Sequence, residues 1–157
     1  MQPIYPCLWF DDQAEQAAAF YVSVFKNSRI VTTTKYLEGS PRPAGMVMTV
    51  AFVLDGQDFL ALNGGPEFPF TPAISLAVNC ETQAEVDDLW AKLTAGGAEQ
   101  QCGWLTDKYG VSWQIVPRAL IAMFSAGDTA ASQRAIAAML PMKKLDLATL
   151  ERAYKNG

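Results

Sequence analysis

Residues 4–10, Ile-Tyr-Pro-Cys-Leu-Trp-Phe, alternate in the manner of a half-buried strand. The period then changes. Ala14, Ala17, Ala18, Tyr21, Val24 and Phe25 recur at helical spacing, which predicts an amphipathic helix. Asp12 is its expected N-cap, with Glu15 three residues on as the reciprocal partner. Strand patterns follow at about 29–37, 46–54 and 58–63. The last two are joined through Asp55-Gly56, a pair that favours a tight hairpin.

The same order then restarts. Residues 73–79 read as a strand. Thr82-Gln83-Ala84-Glu85 is a capping box that opens a helix with Val86, Leu89, Trp90 and Leu93 on one face. Gly96-Gly97 stops that helix. Strands at 99–105 and 111–117 flank the turn Asp107-Lys108-Tyr109-Gly110, where Asp107-Lys108 reads as solvated. "DDQAEQAAAF" at 11–20 and "ETQAEVDDLW" at 81–90 share Gln-Ala-Glu at an offset of 70. "DGQDFLAL" at 55–62 and "YGVSWQIV" at 109–116 share the turn glycine and the alternation after it. A β-α-β-β-β unit written twice accounts for both matches. Module one spans about 1–63, a Gly/Pro-rich linker 64–72, module two about 73–117 and a helical extension 118–157. In the extension, Asp128 and Asp146 are expected caps, and Leu147, Leu150 and Tyr154 form a short apolar stripe.

Composition narrows the chemistry. The net charge of −4 and scattered basic residues exclude a nucleic-acid backbone and an anionic membrane surface as partners. No apolar run has the ~18 residues of a spanning helix. The first residues carry no basic n-region followed by an apolar h-region, and three widely spaced cysteines suit a reducing compartment. A cytoplasmic location is the expectation. The chain has no histidine, which removes Ser-His-Asp and Cys-His nucleophilic systems and all His-containing metal sites.

The duplicated unit, with "CLWFDDQAEQAAAFY", "LALNGGP" and "CGWLTDKYGVSWQIVP", resembles the vicinal oxygen chelate (glyoxalase-like) superfamily, and within it the PhnB-like group also labelled demethylubiquinone methyltransferase-like. The resemblance implies a single α+β domain: two βαβββ modules whose curled mixed sheets surround a cavity, here with C-terminal helices added. It also implies a homodimer. In the superfamily a divalent metal is typically held by four residues, mostly His or Glu, one from the first and one from the last strand of each module.

Alternation assigns the faces. Leu8 and Phe10 face the first helix, so Tyr5, Cys7 and Trp9 face the cavity. The repeat places Ser75, Ala77 and Asn79 inward in module two, with Ser112, Gln114 and Val116 from its last strand. Leu60 and Leu62 are their counterparts in module one. The metal quartet implied by the resemblance therefore falls on Tyr5, Leu60, Ser75 and Gln114. None is a good transition-metal ligand, and Leu60 has no donor atom at all, so no metal and no cofactor is expected. Neither Gly64-Gly65 nor Gly96-Gly97 begins a G-x-G turn into a helix, so the methyltransferase label finds no adenosylmethionine signature.

The inward set offers Tyr5, Cys7, Trp9, Leu60, Ser75, Asn79 and Gln114 to a ligand. It is neutral, polar in part and otherwise apolar, the composition of a pocket that orients a small molecule. Two readings of it stay open: the polar members bind a ligand, or they satisfy one another and trapped water. Cys7 is the candidate nucleophile, against its alternative as a small hydrophobe. Trp9 is either a cavity wall or an interface or core residue, and Asp58 is the one nearby carboxylate to watch as a base. Trp104 belongs to an entrance or a subunit contact, and Trp90 and Trp113 to the core. The leading function is metal-independent small-molecule binding. The alternative is a lyase, isomerase or dioxygenase-type enzyme with an atypical site, so whether the chain is an enzyme stays undecided at this level.

Overall fold

The computed structural model describes residues 1–155. Its contacts divide the chain into two compact units, Met1–Phe70 and a second beginning at Thr71.

In the first unit β1 (Cys7–Phe10) leads into α1 (Ala14–Val24), then β2 (Arg29–Lys35), β3 (Val47–Leu54) and β4 (Gln57–Asn63). The sheet order is β1-β4-β3-β2, with β1 parallel to β4 and the other pairs antiparallel. Leu8, Phe10, Phe59 and Ala61 are buried on the face covered by α1, whose Ala14, Ala17, Ala18 and Tyr21 are buried against it. Small alanines let the helix approach the sheet closely, and Tyr21 stacks near Phe52 at 6.4 Å between centroids. Asp55 and Gly56 both adopt positive φ, as the Asp-Gly hairpin requires.

The second unit repeats the plan with β5 (Ser75–Cys80), α2 (Gln83–Thr94), β6 (Ala98–Glu99), β7 (Trp104–Thr106) and β8 (Ser112–Pro117), in the order β5-β8-β7-β6. Registers prove the duplication at residue level. Cys7 pairs with Leu60 and Trp9 with Leu62; their counterparts Ala77 and Asn79 pair with Gln114 and Val116. The fold is thus α+β, built of two βαβββ modules with helices appended. Those helices are α3 (Arg118–Ser125), α4 (Thr129–Met139) and α5 (Leu147–Lys155), which bury Leu120, Met123, Ala135, Leu145 and Leu150 in a small core. Asp128 and Asp146 cap α4 and α5 by accepting from the Ala131 and Thr149 amides, as their positions predict.

Three local expectations are corrected. α1 has Gln13, not Asp12, at its N-cap, and no side chain of that residue caps it. The amide of Asn63, 1% exposed on β4, does that work from across the sheet: its Oδ1 accepts from the Ala14 N–H at 2.8 Å, and its Nδ2 donates to the Val47 carbonyl at 3.0 Å. A buried tertiary partner has replaced the local cap. The strand expected at 99–105 is two strands. Gln100–Trp104 closes a tight turn through Trp104 N–H to Gln101 O (3.1 Å), with Cys102 and Gly103 at positive φ. The alternation of 4–10 becomes a strand only from Cys7, because Pro6 has no N–H to give a ladder, although its carbonyl still accepts from Leu60.

Candidate functional site

β8 alternates Trp113 and Ile115, both buried under α2, with Ser112, Gln114 and Val116 on the opposite face. Paired residues of neighbouring strands share a face, so the register writes the composition of that surface row by row. One row is Ser75–Ser112–Thr106, three hydroxyls across β5, β8 and β7. The next is Ala77–Gln114–Trp104, and Asn79 stands beside Val116 beyond it. Gln114 Nε2 donates to Ser75 Oγ at 2.9 Å, and Gln100 Nε2 to Thr106 Oγ1 at 2.7 Å. The structure therefore joins Ser75 and Gln114 directly. Asn79 is exposed at the far end of β5. Every polar group on this face is uncharged, so it can orient a ligand by hydrogen bonds and offers no carboxylate or imidazole for proton transfer.

The register of this face rests on Asp107, which is 3% exposed and not the solvated turn residue its position suggests. Its Oδ1 accepts from the Tyr109 and Val111 amides (2.8 and 3.1 Å), and its Oδ2 from the Trp113 indole N–H (2.8 Å). One carboxylate thus closes the β7–β8 hairpin and anchors the core tryptophan. Thr106 and Trp104 were available to sequence reasoning as members of this face, beside the inward Ser112 and Gln114, by reflecting β8 through the 107–110 turn. The broken strand at 99–105 hid that reflection.

In module one the face turned from α1 carries Cys7 beside Leu60 and Trp9 beside Leu62, continued on β3 and β2 by Ala51, Thr49, Thr32 and Thr34. The Thr34 and Thr49 hydroxyls lie 2.6 Å apart. Tyr5 precedes β1 and is 37% exposed. Trp9 spends its one donor on the Gly65 carbonyl at 2.8 Å, so it presents only ring surface to anything else. The linker wraps that ring. Phe68 meets it edge-on at 5.0 Å, and a Cβ on Gly64 would lie 2.3 Å from indole carbons, which explains why glycine stands there. Phe70 likewise packs edge-on to Phe10 at 5.1 Å. Asp58 Oδ2 accepts from the Gln2 amide at 2.5 Å and lies 3.9 Å from the terminal amine. Burial pushes the Cys7 thiol above its ordinary value, the wrong direction for a thiolate nucleophile. Burial, with Glu85 and then Glu81, pushes Cys80 up to about 11.

The residues at the positions where the resemblance implies a metal do not fit one. Leu60 brings no donor, Gln114 donates its amide N–H to Ser75, and Tyr5 stands outside the strand ladder. Among the described residues no three of Cys, Asp and Glu gather in a way that would hold an ion. No described helix is long and apolar enough to cross a membrane.

Comparison with known proteins agrees with this architecture. The model of the 3-demethylubiquinone-9 3-methyltransferase family matches residues 2–116. The PhnB protein from Bacillus cereus is 41% identical, with 74% of this chain and 99% of that one covered and a TM-score of 0.68. A Pseudomonas aeruginosa protein is 22% identical over 74% of this chain and 98% of its own, with a TM-score of 0.61. The fosfomycin resistance protein FosX from Listeria monocytogenes, solved with Mn(II) and sulfate, shares the fold at 15% identity and a TM-score of 0.52, over 73% and 89% of the two chains. No curated protein matches. With its paired βαβββ modules and this match over most of its length, the chain belongs to the 3-demethylubiquinone-9 3-methyltransferase (PhnB-like) family.

Proposed function

We propose that this protein binds a small organic molecule without a metal, using the helix-distal faces of its sheets. Ser75, Ser112, Thr106 and Gln114 supply orientation in module two, with Asn79 at the margin. In module one, considered by itself, Cys7, Trp9 and Leu60, with Tyr5 beside them, make the corresponding face mainly apolar. The observation that carries the reading is the Gln114–Ser75 hydrogen bond, which ties Gln114 to the adjoining row of neutral hydroxyls, at positions where the resemblance implies metal ligands. A polar, uncharged set of this kind fixes the direction of carbonyl, amide or hydroxyl groups in a ligand.

The family's descriptive name does not extend the proposal to methyl transfer. Gly64-Gly65 opens the irregular linker and Gly96-Gly97 runs into β6, so neither pair presents a helix N-terminus to a donor. As part of the same reading we take the protein to act as a cytoplasmic homodimer. Sedimentation giving twice the chain mass supports this, and the single-chain mass rejects it.

The test is equilibrium binding of neutral and carbonyl-bearing metabolites to the wild type, Gln114→Leu and Ser75→Ala. Binding weakened about tenfold or more in the variants supports the proposal, the loss expected for one buried hydrogen bond. No binding by any compound, or equal binding to all three proteins, rejects it.

A further inference from the structure

The family match ends at residue 116, so α3, α4 and α5 are additions to the shared fold. Their connection back to module two is specific. Cys102 and Gly103, consecutive residues at positive φ, turn their amides toward residues 142 and 143: Cys102 N–H donates to Met142 O at 2.8 Å, and Gly103 N–H to Lys143 O at 2.7 Å. A non-glycine residue at φ +58 is an unfavourable conformation, and here both amides it aims outward are taken by the extension. Leu145 is buried alongside, and a Cβ on Gly103 would meet its side chain at 3.0 Å. From the other side α2 holds the same segment. Gln83 donates to Leu145 O at 3.0 Å and accepts from Leu147 N–H at 2.7 Å, and Lys144 pairs with Asp87 at 2.6 Å.

The turn so gripped leads directly into Trp104, which stands beside Gln114, while Gly103 O accepts from Ile115 N–H at 2.8 Å. We infer that the 142–147 segment of the extension is a positioning element for Trp104 and the Gln114 row. It fixes the Cys102-Gly103 turn against β8 and so sets the shape of the proposed ligand face. The inference rests on the reading of that face as a binding surface.

Gln83→Leu removes both Gln83 hydrogen bonds from the α2 side of the clamp, leaves the Lys144–Asp87 pair, and changes no residue of the face. Hydrogen exchange on the full chain is expected to show the Cys102 and Gly103 amides opening about tenfold faster. The Tyr109 and Val111 amides, held by Asp107, keep their wild-type rates. A 5-fluorotryptophan signal from Trp104 is expected to shift or broaden, with that of Trp9 unchanged. Unchanged exchange at Cys102 and Gly103 overturns the inference. So does faster exchange with an unmoved Trp104 signal, because the extension then anchors only itself. If Gln83→Leu does not fold, Lys144→Ala reads the same amides and the same fluorine signal under the same criteria. Neither readout uses a ligand, so a failure of the binding proposal would appear separately, as an empty metabolite screen with these outcomes intact.

Discussion

Replacing Asp107 tests how the β7–β8 hairpin holds its register. The carboxylate is almost wholly buried and takes two backbone amides and the Trp113 indole N–H at 2.8–3.1 Å. A hydrogen bond to a charged group contributes roughly 1.5–3 kcal/mol, and the three here share one acceptor, so their losses do not simply add. Tyr109 is only half-buried and its amide regains some water on opening, whereas the indole N–H and Val111 amide do not. Asp107→Ala is therefore expected to cost about 3–5 kcal/mol. Asp107→Asn retains one acceptor oxygen and turns an NH2 toward a donor, for a cost of about 1.5–3 kcal/mol. Lys108→Ala removes an exposed neighbour whose ammonium lies 5.4 Å from the Tyr109 ring, and is expected to cost under about 1 kcal/mol. Urea unfolding followed by far-UV circular dichroism measures all three. If Asp107→Ala falls within about 1 kcal/mol of Lys108→Ala, the carboxylate is a solvated turn residue after all and the reasoning is refuted.

Three other expectations follow from particular contacts. Asn63→Ala leaves the Ala14 N–H and the Val47 carbonyl unmatched and is expected to cost about 2–4 kcal/mol in urea unfolding, against under about 0.5 kcal/mol for Asp12→Ala; the reverse order would restore the local cap. Cys80 is held protonated in the fold up to about 11, while an unfolded thiol ionises near 8.5, so unfolding gains a thiolate that the native state cannot form. Stability contributed by this group is therefore complete below about pH 8.5 and declines as pH rises toward 11; a Cys80→Ala variant with the same decline would contradict the assignment. Gly64→Ala forces a methyl into the Trp9 indole and is expected to lower stability by about 1–3 kcal/mol with a shift in tryptophan emission, and an unchanged spectrum and midpoint would show that the linker does not seat on that ring.

The fold was legible because its signals were redundant. Helical stripes, a capping box, an Asp-Gly turn and the repeat all pointed to the same unit, and strand registers carry the duplication down to Cys7–Leu60 and Ala77–Gln114. The helix-facing positions followed from alternation, since Leu8, Phe10, Trp113 and Ile115 are buried on that side as their pattern required. What the sequence hid were long-range partnerships. Asn63 caps a helix forty-nine positions away, and nothing near Asp12 signals that this cap is redundant. Asp107 looks like any turn aspartate until the indole N–H of Trp113 is brought over it. Trp9 read as either a cavity wall or an interface or core residue, and that the linker takes its only donor is a contact written in no local pattern. The Cys102-Gly103 turn divided a strand that composition alone had joined, and with it concealed the place of Trp104 beside Gln114 and of Thr106 beside Ser112.

The central proposal is that this protein uses a neutral hydrogen-bonding face at positions where its sequence resemblance implies a metal. Elemental analysis of protein purified without added metal and then dialysed measures that most directly. The account predicts far less than one divalent ion per chain, and no difference between the wild type and Gln114→Leu. One ion per chain retained through dialysis, and lost in Gln114→Leu, would contradict it.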